Sequence, residues 1–402
     1  MKKTIALLLF TIITLGSFTV GFAQKKKEFS SIPKGLKINR IQVLGTHNSY
    51  AKPVDPRVLA YADKARMENE AKKAADLPKE QQAQMNENHP NKVSVTEALK
   101  YDHPPFPVQL NAGLRSLEID VHYDPKGGLF SDPAAYRYFK QQGITDLAPF
   151  NNAGLDKPGF KVLHVADLDF RSHYPTFKDA LRELKKWSDA NPDHVTIFIQ
   201  LEAKESSTPL FPGWANVLKF DEKAYDELDK EILEILGKDK LITPDDVRGK
   251  HKTLKDAVLA QNWLTVDESR GKFMFMLLGR GLAKDGKTQG YAYGHPNLEN
   301  RAMFLYANPE DSYAGVLLID NAIVRQDDIK KYVKMGYIVR SRSDIETYEA
   351  KVNDKTRANA AFNSGAQVVS TDFFRPGNGY GTDYFVELPG GGPARLNPIN
   401  GN

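Results

Sequence analysis

The stretch IQVLGTHNSYAKP, residues 41–53, runs four apolar or amide side chains into a glycine and then releases Thr46, His47, Asn48, Ser49 and Tyr50 together. Residues 41–44 suit a short buried strand, and Gly45-Thr46 lets the chain turn at its end. Similar runs recur at 117–121, 162–163, 195–201, 273–278, 316–319, 337–339 and 367–369, each ending in polar residues. Helical patterns lie between several of them, at 176–190, 222–236, 326–334 and 353–362. Eight strands alternating with helices predict parallel β/α units, and near-continuous apolar strands predict a sheet covered on both faces. The expected fold is α/β: a (β/α)8 TIM-type barrel, one domain over residues 24–402, with a helical insertion after strand 1.

That insertion, about 54–105, is rich in Lys, Glu, Ala and Gln, with a helix expected over 56–75 followed by NENHP and YDHPPFP. It is long for a β-to-α connection and reads either as a cap over one end of the barrel or as a solvated excursion. The tail from Gly377 is rich in Gly, Pro and Asn and is expected to be irregular.

Residues 1–23 read as a secretory signal peptide, with Lys2-Lys3, an apolar run from Ile5 to Val20, and Gly21-Phe22-Ala23 supplying small residues for cleavage. Removing Lys2 and Lys3 lowers the formal charge from +4 to +2, a balance that gives no bulk reason to expect nucleic acid. The chain has no cysteine, hence no disulfide and no lipobox cysteine to carry a lipid anchor. No later stretch is apolar enough to be read as a transmembrane segment. The expected address is secreted or periplasmic.

In a barrel of this type the functional groups come from the C-terminal ends of the strands and the loops that follow. The first strand ends at His47-Asn48, although a lone histidine there is most often structural. In LEIDVH, Glu118 and Asp120 are two apart and share a face. Side by side they would raise one another's pKa unless a cation lies between them. Arg115 or a lysine is one such cation; a hard divalent metal, which prefers carboxylate and amide oxygens, is the other. His122 follows on that face but is set aside as too near the loop or below the site. The third run ends at His164, with Asp167 and Asp169 in the loop, where solvated or capping roles are expected. The fourth ends at Glu202, with Gln200 and Lys204 on the same side. A buried acid there needs a partner or a metal, and a Glu202–Lys204 salt bridge is one solution. Taken together, Asn48, Glu118, Asp120 and Glu202 supply an oxygen cage. His47 and His164 supply imidazoles for proton transfer or for steadying negative charge. That set is the equipment of metal-assisted phosphodiester cleavage.

The segments LGTHNSY, LRSLEIDVHYD, VLHVADLDFRSHYPTFKDAL and IFIQLEAK resemble the bacterial Ca2+-dependent phosphoinositide phospholipase C family, whose barrel is similar to the X half of the eukaryotic phosphoinositide-specific enzymes. The resemblance is carried by roughly residues 39–204. It implies that His47 is the first catalytic histidine, steadying the phosphorane-like transition state, and that Asn48, Glu118, Asp120 and Glu202 hold Ca2+. It further implies that His164 protonates the diacylglycerol leaving oxygen, while Glu118 or Glu202 takes the proton of the inositol 2-hydroxyl. A cyclic inositol phosphate results, which water can open. Lys204, Arg340 and Arg342, at strand ends, are candidates for binding the inositol ring or its phosphates, with plain ion pairing as the alternative. The implied partner is a phospholipid substrate at a membrane surface, with no protein partner. Two departures stand out: the gap between Asn48 and Glu118 is much longer than in the eukaryotic enzymes, and their lipid-targeting modules have no counterpart here.

Two other readings share the barrel. A glycerophosphodiester phosphodiesterase would also place a metal between carboxylates beside two histidines, but those enzymes typically follow the first histidine with Arg-Gly, where this chain has Asn48-Ser49. A catalytically inactive barrel that binds glycans or lipid headgroups would have no physical need to keep so many costly polar groups together.

Overall fold

The computed structural model describes residues 32–73, 78–281 and 290–401. The expected signal peptide lies outside them. Ten strands are present among the described residues: β1 Ile41–Thr46, β2 Ser116–Asp124, β3 Gly159–Val162, β4 Ile197–Ala203, β5 Phe273–Leu278, β6 Phe304–Leu305, β7 Val316–Leu318, β8 Ile338–Arg342, β9 Val368–Thr371 and β10 Arg395–Leu396. Eight of them form one path in the order β6-β5-β4-β2-β1-β9-β8-β7, parallel throughout. A parallel bridge between Tyr306 and Val316 joins its two ends. The result is a nearly closed TIM-type barrel, as the alternation of strands and helices predicts.

One member of the expected eight is different. The run at 162–163 belongs to β3, which pairs antiparallel with Val121–Asp124 of β2 and lies off the barrel path. The reason is the length of β2. Its first six residues pair with β4, and the outer part is left for β3 to cover. The eighth barrel strand is β6, only two residues long and too short to carry a recognisable pattern. The tail is largely turns, as expected, but its β10 pairs antiparallel with Ile41 and Gln42.

The strands are buried along nearly their whole length, and amphipathic helices cover them from outside. In the helix Phe177–Ala190, Phe177, Ala180, Leu181, Leu184 and Trp187 fall on one buried stripe. Thr176 caps it by accepting from the Asp179 amide. Truncating Leu184 to alanine there would cost about 2–5 kcal/mol.

The insertion, followed by the helix Phe106–Asn111, is itself helical over Pro56–Lys73, Lys79–Asn88 and Val95–Ala98. It is no solvated excursion, because it is fastened to segments that follow three other barrel strands. The Glu87 carbonyl accepts from Asn321 Nδ2 at 2.9 Å, and its carboxylate pairs with Arg325 at 3.1 Å. His89 meets Glu346 at 2.9 Å. The Glu97 carbonyl accepts from Thr347 Oγ1 at 2.6 Å and Tyr380 Oη at 3.2 Å, while its carboxylate pairs with Lys351.

Candidate active site

The turn after β1 is built by close approach. A Cβ on Gly45 would stand 2.3 Å from the Ser116 carbonyl oxygen, so β1 and β2 can meet only with glycine at this position. Asn48 then adopts φ 47°, a left-handed conformation that asparagine tolerates better than most residues. The turn is tied down by hydroxyls: Ser49 Oγ accepts from the Glu118 amide at 2.7 Å, and Thr46 Oγ1 donates to Gln109 Oε1 at 2.5 Å.

Register brings the carboxylates together. Glu118 is paired across the ladder with Gln200, and Asp120 with Glu202. One ligand atom from each of Glu118, Asp120 and Glu202 lies within 4.8 Å of the others. Two cations sit against them. Lys204 Nζ is 3.0 Å from Glu202 Oε1 and 3.1 Å from Asp120 Oδ2, the latter an ion pair without hydrogen-bond geometry. Arg340 donates to Glu118 Oε2 at 2.9 Å and also pairs with Asp320. Arg115 is not involved; it donates to the Leu110 and Leu114 carbonyls and lies over Trp187. Burial pushes Glu118 and Asp120 well above the usual carboxylate range, opposed by Arg340 at the one and Lys204 at the other. Three clustered carboxylates against two shared cations leave the pocket short of positive charge.

The histidines flank this cluster, with ring centroids 6.4 Å apart. His47 Nδ1 is 2.9 Å from Asp372 Oδ1, and His47 Nε2 is 3.8 Å from Glu118 Oε1. Arg342 donates to Asp372 Oδ2 at 3.1 Å and stands 3.2 Å from His47 Nδ1. Burial, with Arg342 and Arg340 close by, holds the imidazole well below its ordinary pKa. His164 Nδ1 is 2.9 Å from Asp169 Oδ2. A carboxylate only accepts, so each histidine carries its hydrogen on Nδ1 and turns Nε2 to chemistry.

All the candidate residues read from the sequence converge here, but Lys204, Arg340 and Arg342 are each engaged with carboxylates of the cluster or its neighbours. The sequence reading passed over Asp372, Asp320 and Tyr101. Asp372 and Asp320 follow barrel strands, yet an aspartate after a strand is too common to single out. Tyr101 Oη reaches Asn48 Nδ2 at 2.9 Å and Asp169 Oδ2 at 2.8 Å from within the insertion. Asp167 and Asp169 are buried rather than solvated: Asp167 accepts from the amides of Ala134 and Ala215, and Asp169 holds His164. His122 also is buried, packed edge-on to Phe130.

Over residues 36–398 the chain matches the family model described as phosphoinositide phospholipase C, Ca2+-dependent. The chain belongs to this family. The enzyme is therefore a Ca2+-dependent phosphoinositide phospholipase C, a phosphodiesterase. Solved structures similar to it include the calcium-dependent phosphoinositol-specific phospholipase C of a Pseudomonas sp., at 14% identity and TM-score 0.49, covering 91% of this chain and 97% of that one. The Ca2+-dependent phosphatidylinositol-specific phospholipase C of Streptomyces antibioticus is similar at 16% identity and TM-score 0.47, covering 84% and 95%. The phosphatidylinositol-specific phospholipase C of Listeria monocytogenes is similar at 10% identity and TM-score 0.42, covering 86% and 92%. No curated protein matches the chain.

The residues of the phospholipase fit its metal. Both Asp120 carboxylate oxygens and Asn48 Oδ1 are buried without a hydrogen-bond partner. Orphaned oxygens of this kind are costly unless a cation satisfies them, and an all-oxygen set of carboxylates and one amide is what a hard ion such as Ca2+ takes.

Proposed function

We propose that the phospholipase cleaves the glycerol-side phosphodiester of phosphatidylinositol-type lipids by attack of the inositol 2-hydroxyl, and that Asn48, Glu118, Asp120 and Glu202 hold its calcium. The carrying observation is the cluster of three carboxylates and an orphaned amide oxygen set between two histidines, each backed by an aspartate. Calcium, when bound, supplies a positive charge that neutralises phosphate oxygens as the phosphorus is attacked.

The chain's own groups do the rest. Glu118, whose Oε1 lies 3.8 Å from His47 Nε2, is placed to take the 2-hydroxyl proton beside the phosphate that His47 touches. The negative phosphate favours protonation of His47, so that Nε2–H donates to it while Asp372 steadies the imidazolium. His164, carrying a proton on Nε2 as well as on Nδ1, would give the Nε2 proton to the glycerol oxygen as the P–O bond breaks and keep the Nδ1 hydrogen on Asp169. The products are diacylglycerol and a cyclic inositol phosphate, which water can open. Lys204, Arg340 and Arg342 act on the inositol headgroup through the edges of this charge network. No helix among the described residues is long and apolar enough to cross a membrane. The leader at 1–23 is the feature that favours export to the periplasm or the medium.

The test is product analysis by 31P NMR on phosphatidylinositol and, separately, glycerophosphocholine. A cyclic inositol phosphate should form, cease with a chelator and return with added Ca2+. Glycerophosphocholine hydrolysis without the cyclic product, or turnover indifferent to chelation, would overturn the reading.

A further inference from the structure

The insertion contributes one side chain to the centre of the site. Tyr101 is buried, with its ring stacked on His103 at 5.7 Å and its hydroxyl among Asn48, Asp169 and His164. The direction of each bond follows from chemistry. An amide nitrogen only donates, so Asn48 Nδ2 gives its hydrogen to the phenol oxygen at 2.9 Å. A carboxylate only accepts, so the single phenol hydrogen goes to Asp169 Oδ2 at 2.8 Å. Asp169 Oδ2 accepts at the same time from His164 Nδ1 at 2.9 Å, and the phenol oxygen stands 3.2 Å from that nitrogen.

Two consequences follow. Asn48 has its nitrogen committed to Tyr101, which leaves Oδ1 as the buried, unpartnered end of the amide. The phenol fixes which end faces the site before a cation arrives, whereas a flipped amide would present hydrogens where a cation needs an oxygen. On the other side, the phenol and His164 share one carboxylate oxygen, so the Asp169 carboxylate is held in the orientation that takes the Nδ1 hydrogen of His164 and leaves Nε2 as the nitrogen that would carry the acid proton.

We propose that Tyr101 is a positioning residue that sets the metal-facing amide of Asn48 and the imidazole of His164 through one hydroxyl. The insertion thereby joins calcium binding to leaving-group protonation. This rests on the assignment of Asn48 as a calcium ligand and His164 as the acid. The insertion's attachment to the far rim through Glu87, His89 and Glu97 holds Tyr101 in place.

The test uses the full-length enzyme and Ca2+ alone, by calorimetry without lipid, together with turnover of phosphatidylinositol at saturating Ca2+. Tyr101→Phe keeps the ring and removes the hydroxyl. It should weaken Ca2+ binding about 10-fold and lower kcat by a similar factor, the scale of losing an outer-shell partner, with little change in KM. Tyr101→Phe should weaken Ca2+ no further in an Asn48→Ala background. A second variant, Asn48→Asp, keeps an oxygen for Ca2+ but makes two carboxylates compete for the phenol hydrogen. It should retain Ca2+ binding and lose turnover. Parental Ca2+ affinity in Tyr101→Phe, equal losses with and without Asn48, or parental kcat in Asn48→Asp would each overturn the inference. Asp120→Asn separates this from the underlying site. If it binds Ca2+ normally, the ligand assignment fails; if it loses Ca2+ while Tyr101→Phe does not, only the role of Tyr101 falls.

Discussion

Asp372 Oδ1 lies 2.9 Å from His47 Nδ1 although the two residues are separated by 325 positions. The contact is a product of register. Thr46 and Thr371 are partners on β1 and β9, so the next residue on each strand emerges beside the other at the barrel mouth. The His47 amide donates to the Thr371 carbonyl at 3.2 Å and locks this juxtaposition. Asp372→Asn removes the carboxylate that fixes the imidazole tautomer and would steady its charge. Turnover should fall on the order of 10²–10⁴-fold, with KM for lipid little changed. Steady-state kinetics at saturating Ca2+ would measure it, and a loss confined to KM would contradict the orienting role.

Asp120 offers a stability signature as well as a binding one. Its two oxygens are buried and make no hydrogen bond, and in the metal-free protein the Lys204 ion pair at 3.1 Å offsets part of that cost. Asp120→Asn should therefore gain less in melting temperature than the parent on adding Ca2+. Its Ca2+ affinity should be at least about tenfold weaker. Thermal melts with and without Ca2+ decide it; an undiminished Ca2+-induced shift would remove Asp120 from the ligand set.

His164→Ala tests the acid. Loss of a positioned proton donor should cost about 10²–10⁴-fold on phosphatidylinositol. The penalty should shrink strongly on an inositol phosphodiester with a p-nitrophenyl leaving group, which departs without a proton. Equal penalties on both substrates would mean that His164 serves another purpose.

Away from the site, Glu231 on the helix Glu222–Leu236 is buried 3.7 Å from Lys178, with Oε2 free of hydrogen bonds. Burial pushes its carboxyl from 4.5 to about 7. The folded pKa lies above the unfolded one, so the folded state keeps a proton that the unfolded state has already lost. Stability therefore declines as pH rises through the window from 4.5 to about 7 and is level beyond it. Glu231→Gln should remove that decline, and its Tm relative to the parent should climb across the window. A constant difference between the two melting curves at all pH values would show that Glu231 titrates normally in the fold.

Much was legible in the sequence because periodicity and polarity are local. Apolar runs ending in polar residues marked β1, β2, β4 and β5, and the two-residue spacing of Glu118 and Asp120 puts both on one face once their segment is a strand. The helix Glu222–Leu236 was legible to the residue. β6 was not, since two residues hold no period, and β3 passed for a barrel strand because its own residues look no different from those of a parallel one.

By itself, the sequence determined that strands alternate with helices, that His47 and Asn48 follow the first strand, that Glu118 and Asp120 share one face of the second, and that the family is the Ca2+-dependent phosphoinositide phospholipases C. The Glu202–Lys204 pair was legible from their spacing, but only the tertiary structure decided that Arg340 meets Glu118 and which aspartate backs each histidine. It also brought Tyr101 out of the insertion and into the site. Those pairings depend on ladder register and on a segment folding back across the barrel mouth. Both are long-range choices, set by the burial of all the elements together and not by the residues adjacent in the chain.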